Sequence, residues 1–304
     1  MQLFYCDTVE LPLPAGHRFP LSKYQLLREK VLREQLVPAE NLRLSTPASK
    51  AQLELAHDPR YIRRVFSGEL SDKEIRRIGF PWSRGMVQRS RHSVGCTIGA
   101  CRTALKEGLA AALAGGTHHA GPDWGQGFCV FNDVAVALRS LQATGHLQRA
   151  IVLDCDVHQG NGTAAIFADD PTVYTFSIHG EKNFPVHKVP SDCDVPLPDD
   201  TGDEAYLDAL AAHVPAALDA AAADLVVYIC GADPYAGDRL GRLALTPAGL
   251  ARRDQYILDT CLSRNLPIAL CLGGGYAPNV HETVDIYYQS MAIATAHHRQ
   301  RTGP

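Results

Sequence analysis

The sequence predicts an α/β fold: a central, mostly parallel β-sheet flanked by helices on both faces, with ligands bound at the C-terminal strand ends. Two observations carry this. From about residue 93 onward, helical spacing alternates with short apolar runs of strand length. No repeat, low-complexity stretch or linker divides the chain, so residues 1–304 read as a single domain.

Taken in order, Tyr24–Leu36 is the one clear helix among the first ninety residues. Val94, Ile98, Cys101 and Leu105 recur at helical spacing, and "LAAALAGG" then shortens into a strand. Val134, Ala137, Leu138 and Leu141 mark a helix ending near Gly145. Strands are expected at Ile151–Cys155, Val173–Ile178, Leu225–Cys230 and Ile268–Leu272. Between them lie a helix over Glu204–Ala222, with a break expected at Pro215, and another capped by Thr246 with Pro247 in its first turn. A last helix follows Pro278. The 24-residue connection His179–Gly202, with four prolines, is expected to be irregular.

Composition removes several functions. The chain carries 46% hydrophobic and 20% charged residues, as ordinary globular proteins do. A net charge of −4 gives no case for nucleic-acid binding. The longest apolar region, Val214–Ala232, is broken by Asp219 and Asp224, which argues against a membrane span. Nine cysteines without a CxxC pair point to reduced thiols and a cytoplasmic location, and the N-terminus lacks a signal-peptide pattern. The ending "AHHRQR" reads as a frayed terminus, and the oligomeric state is left open.

Chemistry gathers where the strands end. "GGTHHA" brings His118 and His119, "IVLDCDVH" brings Asp154, Asp156 and His158, "GADPYAGDRLG" brings Asp233, and "GGGY" brings Tyr276. Side chains alternate along a strand, so Asp154, Asp156 and His158 share a face if the extension persists. Neighbouring carboxylates in a dry strand end are costly without a cation. Asp156, His158 and Asp233 make a three-ligand nitrogen and oxygen set that leaves a position open, as in catalytic zinc sites. Asp154 can orient a histidine from behind. Taken singly these motifs are weak, since an acidic strand end is as often a helix cap; their joint occurrence at four strand ends is not.

At these residues the chain resembles the zinc-dependent histone deacetylase family of the arginase–deacetylase fold. The matching stretches are "HDPRYI" at 57–62, "GGTHHA" at 115–120, "GQGFCVFND" at 125–133, "DCDVHQGNG" at 154–162, "SIHG" at 177–180, "GADPYAGDRLG" at 231–241 and "GGGY" at 273–276. "HQGNG", "NFP" and "SDCDVPL" look most like the class IV branch and its bacterial relatives. The resemblance implies zinc on Asp156, His158 and Asp233, with ferrous iron compatible with the same donors. It implies His119 as general base and acid with His118 beside it, and Tyr276 as hydrogen-bond donor to the substrate oxygen. Gly127, Phe128 and Phe184 would wall an acyl-lysine tunnel, Gly274 would lie against the substrate, and Leu240 would sit at its mouth. A structural potassium ion would be held by Asp154, Ser177 and the carbonyls of Ile178, Asp156 and His158. The implied reaction is removal of acetyl or longer fatty acyl groups from lysine in a protein or peptide, or from a small acylated amine.

Two departures stand out. Asn161 replaces the aspartate that most of the family places opposite one of the two histidines; by motif order Asp154 pairs with His118 and Asn161 with His119, which makes His119 less basic. "IGFPWSRG" lacks the acid with which relatives grip peptide backbone, and Leu240 stands where acetylpolyamine hydrolases carry a glutamate. An arginase-like ureohydrolase would need further aspartates for a second metal, and a non-catalytic acyl-amine binding module would not need His118, His119 and Tyr276. His17 and Lys23 are expected along an exit route for the released acid. His57 and Asp58 match the family near the pocket rim, or pack and cap. Asp238 and Arg239 order their loop, or form a surface ion pair. His92, His146, His213, His281, His297 and His298 read as surface residues.

Overall fold

A computed structural model describes residues 1–302. Eight strands form one sheet: β1 (Gln2–Tyr5), β2 (Leu42–Leu44), β3 (Leu109–Ala112), β4 (Ala150–Asp154), β5 (Val173–Gly180), β6 (Cys193–Leu197), β7 (Leu225–Ile229) and β8 (Ile268–Cys271). They lie in the order β2-β1-β3-β8-β7-β4-β5-β6, and every pairing is parallel. The four middle strands are buried along their whole length, which is why they read as unbroken apolar runs.

Among the described residues ten α-helices surround the sheet: α1 (Ser22–Arg33), α2 (Lys50–Leu53), α3 (Pro59–Ser67), α4 (Asp72–Ile78), α5 (Arg84–Glu107), α6 (Asp133–Ala143), α7 (Asn161–Phe167), α8 (Asp203–Ala221), α9 (Pro247–Leu262) and α10 (Val280–Thr302). α5 and α6 pack together as one layer, while α8, α9, α10 and α1 pack in succession as the other. Local chemistry sets the boundaries. Asp58 caps α3 by accepting from the Arg60 and Tyr61 amides, and Gly68 ends that helix at φ 80°. Thr246 caps α9 through the Gly249 amide at 3.0 Å, with Pro247 in the first turn as expected.

Several expectations need correction. The first ninety residues hold two strands and three short helices besides α1 and the start of α5; strands of three or four residues are too short to show a period. His179–Gly202 is not irregular throughout, because β6 lies within it at the sheet edge, where Pro196 costs no ladder bond. Pro215 does not break α8, which runs through it. The C-terminal segment is not frayed as far as Thr302: α10 packs on α1 and α9, and Arg299 donates to the Leu36 carbonyl at 2.7 Å. His298 is accordingly buried rather than on the surface. His92 is half-buried and bonds the Ser45 hydroxyl at 3.0 Å. No described helix is long and apolar enough to cross a membrane.

Candidate active site

The strand order explains why distant motifs meet. β3, β8, β7 and β4 are immediate neighbours, and each is followed by one of the four motif-bearing turns. Register fixes their depth: Asp154 on β4 stands opposite Ile229 on β7, which stands opposite Cys271 on β8. The chain beyond that row therefore turns over the same end of the sheet.

Asp156, His158 and Asp233 offer ligand atoms within 4.8 Å of one another, all buried. His158 Nδ1 lies 2.9 Å from Asp156 Oδ1 and 3.1 Å from Asp233 Oδ2. Asp233 Oδ2 is buried and has no well-aligned hydrogen-bond donor. An orphaned carboxylate oxygen is expensive unless a cation takes its lone pair. Burial and the neighbouring Asp156 push the Asp233 carboxyl up to about 7. Burial also opposes ionisation of Asp156, but His118 and His158 outweigh it and hold that carboxyl well below the usual range. The donor set, its burial and the unpaired oxygen fit one divalent metal. Gly274 makes the fit possible: its amide donates to Asp156 Oδ2 at 2.5 Å, and a Cβ there would lie 1.8 Å from Asp233 Oδ2.

The two histidines are held differently. His118 Nδ1 is 2.6 Å from Asp154 Oδ2, whose other oxygen accepts the Asp156 amide. Burial disfavours the imidazolium, yet Asp154 and Asp156 outweigh it and push His118 up to about 9. His119 Nδ1 is 2.8 Å from Asn161 Oδ1, so the amide oxygen fixes the Nδ1–H tautomer and leaves Nε2 free to accept. Burial, followed by the charges of His118 and His158, lowers His119 well below its ordinary value. The pairing is the one motif order predicts.

Tyr276 is 8% exposed, and burial followed by Asp233 and Asp156 raises its hydroxyl well above the usual range, so it remains a donor. Its backbone is clamped from both sides: Asp238 Oδ2 accepts the Tyr276 amide at 2.5 Å, and Arg239 Nε donates to its carbonyl at 2.9 Å. Asp238 and Arg239 thus order this turn as well as their own.

Above these groups opens a cavity of about 450 Å³ with His119, His158 and Tyr276 at its floor. Gly127 adopts φ 57°, and a Cβ there would meet the His119 ring at 2.7 Å. Phe184 stands edge-on to His119, ring centroids 4.9 Å apart, and Phe128 lies 6.0 Å from Tyr276. Leu240 is at the rim, 37% exposed. Ser177 stands opposite Asp154 in the β4–β5 ladder, next to Ile178; its hydroxyl lies 3.0 Å from His179 Nδ1.

Other expected residues lie around the site. His57 packs, bridging the Gly121 carbonyl at 2.8 Å and the Asn132 amide at 2.9 Å. His17 bonds the Gly79 carbonyl at 2.9 Å. Lys23 is 1% exposed and donates to the carbonyls of Gly273 and Gly275 at 3.3 and 3.4 Å, beneath the Tyr276 ring. Burial lowers it to about 8. Neither residue lines the cavity above the site.

Three supports escaped the sequence reading. Asp133 accepts from Thr97 Oγ1, the Gly116 and Thr117 amides and Thr117 Oγ1 at 2.5–3.0 Å, fixing the turn before His118; "FND" was its only signal. Arg253, fully buried on α9, donates to the Gly231 carbonyl at 2.6 Å and the Cys155 carbonyl at 3.3 Å, bracing the turns that carry Asp233 and Asp156. Tyr287 on α10 binds the Gly273 amide at 3.0 Å and its carbonyl at 2.8 Å.

Comparison with known proteins places the chain among relatives of the same fold. The histone deacetylase domain model matches residues 17–291. An uncharacterized protein of Picosynechococcus sp. is 48% identical over 273 residues, 90% of this chain and 91% of that one. The histone deacetylase-like amidohydrolase of Pseudomonas aeruginosa is 31% identical across 78% of this chain and 66% of its own. The crystal structure of an HDAC homolog complexed with SAHA shares the fold, with a TM-score of 0.83 and 22% identity over 97% of this chain and 84% of that one.

Proposed function

Since this chain belongs to the histone deacetylase family and is a hydrolase acting on amides, we propose that it removes acyl groups, acetyl or longer fatty acyl, from lysine side chains. The observation that carries this is the buried Asp156–His158–Asp233 set, with His119 and Tyr276, under an aromatic-walled cavity. Those three residues would hold the metal, zinc or ferrous iron, which supplies a polarised amide carbonyl and a water that ionises near neutral pH. His119, neutral and aimed by Asn161, takes a proton from the attacking water at Nε2 and returns it to the departing amine. His118, tied to Asp154 at 2.6 Å, is held beside the reacting atoms. Tyr276 donates its hydroxyl to the oxygen on which charge develops. Phe128 and Phe184 strip water from a neutral methylene stem. A potassium ion held by Asp154, Ser177 and the Ile178, Asp156 and His158 carbonyls belongs to the same proposal, supported by the placement of Asp154 opposite Ser177.

"HQGNG", "NFP" and "SDCDVPL" support the class IV branch, and with it turnover of long acyl chains. Acetylpolyamine hydrolysis is disfavoured by Leu240 at the rim, which offers a cationic stem nothing. The test uses metal-loaded protein and acetyl-, octanoyl- and myristoyl-lysine peptides. Hydrolysis is expected, falling about 10²–10³-fold in Tyr276→Phe with metal content unchanged. Full activity in Tyr276→Phe, or no turnover of any acyl-lysine by metal-loaded protein, would overturn the proposal.

A further inference from the structure

The mouth of the cavity carries charge for which the chemistry beneath it has no use. Arg18, Arg76, Arg77, Lys182 and Arg242 line it, and among the described residues no carboxylate does. This runs against the composition, which has 33 acidic and 29 basic residues. Lys182 and Arg242 share Asp199, at 3.6 and 2.9 Å. Arg18, Arg76 and Arg77, all exposed, form no ion pair with a carboxylate among the described residues.

Two of these three are positioned without being neutralised. Arg77 Nε donates to Gln126 Oε1 at 2.9 Å, and its guanidinium lies 5.4 Å from the Trp124 ring. Arg18 lies 5.3 Å from the Phe128 ring, on the wall that the substrate stem would pass. Amide and ring contacts aim a guanidinium while leaving its charge for a ligand. Like charges gathered around a low-dielectric opening focus their field outward, drawing anions and repelling cations.

We infer that the substrate presents a carboxylate at this mouth, on the amine side of the scissile amide. The inference rests on the deacylase reading and names its substrate class. Acidic residues flanking an acyl-lysine would supply the carboxylate, and so would the α-carboxylate of free Nε-acyl-lysine. Arginine recognises either in the same forked geometry. The rim thereby does what a backbone-gripping acid does elsewhere, with opposite sign: the 78–85 loop contains no acid.

The experiment measures binding and turnover separately on metal-loaded protein. Its probes are three acetyl-lysine peptides that differ only in flanking glutamate, glutamine or lysine pairs, with free Nε-acetyl-lysine and its α-amide. Affinity is expected to follow glutamate over glutamine over lysine, by at least about 10-fold between the extremes at low salt. The range should shrink steeply at 0.5 M salt and collapse in the Arg18→Gln/Arg76→Gln/Arg77→Gln variant, with circular dichroism confirming its fold. A carboxylate advantage confined to the free amino acid over its amide identifies the small-molecule source; one confined to the peptides identifies the acidic sequence. Equal or reversed affinities across all probes would overturn the inference. Ordered binding without hydrolysis would instead overturn the deacylase reading and leave the anion-selective mouth standing.

Discussion

At and beneath the floor of the cavity, Asp156, His158, Asp233 and His119 are at most 8% exposed, and each comes from a turn following β3, β4 or β7 in the middle of the sheet. At the mouth, Arg18, Arg76, Arg77, Lys182 and Arg242 stand in solvent on segments far apart in the chain. The floor depends on distances held by backbone, where a misplaced atom has nowhere to go. The mouth depends on summed charge, where a side chain can swing without loss. Substitutions should therefore cost much below and little above.

The sharpest break in that contrast is Gly274→Ala. A Cβ 1.8 Å from Asp233 Oδ2 must push the carboxylate away from its partners. Metal affinity is expected to fall by about 10–100-fold, with activity falling in parallel. Gly202→Ala is the matched control, since nothing lies within 4 Å of its added Cβ. Metal titration of the two variants decides it: equal affinities would mean the floor tolerates displacement as the mouth does.

Asn161→Asp probes the floor electrostatically. His119 must be neutral to accept a proton, so activity is lost as pH falls through its pKa, which burial and neighbouring cations keep low. A carboxylate 2.8 Å from Nδ1 would stabilise the imidazolium and raise that pKa. The acidic limb of the kcat/KM profile is expected to move to higher pH, and an unmoved limb would remove Asn161 from this role.

The same contrast explains what the sequence could disclose. Each floor residue follows an apolar run within a few positions, so "DCDVH", "GAD" and "GGGY" are legible as strand-end chemistry before any contact is known. The pairing of Asn161 with His119 followed from the family resemblance and motif order together. The mouth has no such grammar: Arg76 and Arg77 close the short helix α4, Arg18 precedes α1, and nothing in their spacing joins them to Arg242. Arg253 is hidden for another reason. In "LARRDQY" one arginine of an amphipathic helix turns inward to two carbonyls while its neighbour Arg252 pairs with Glu204 at the surface, and helical periodicity marks neither as special. Strands β1 and β2 are too short, and the edge strand β6 is interrupted by Pro196, for any of them to show a strand pattern in the sequence.

The smallest effect belongs to Asp199. Its Oδ2 lies between Lys182 and Arg242, whose side chains are 66% and 55% exposed, so it holds down part of the rim's charge in a well-screened setting. Asp199→Asn adds one positive unit to the mouth without touching the floor. The preference for acidic over neutral acetyl-lysine peptides is expected to grow by no more than about 3-fold at low salt and to vanish near 1 M. A gain above tenfold, or one that survives high salt, would place these cations in a dry, fixed geometry. The mouth would then obey the rules of the floor, and its arginines would have to be treated as individually placed contacts rather than as a field.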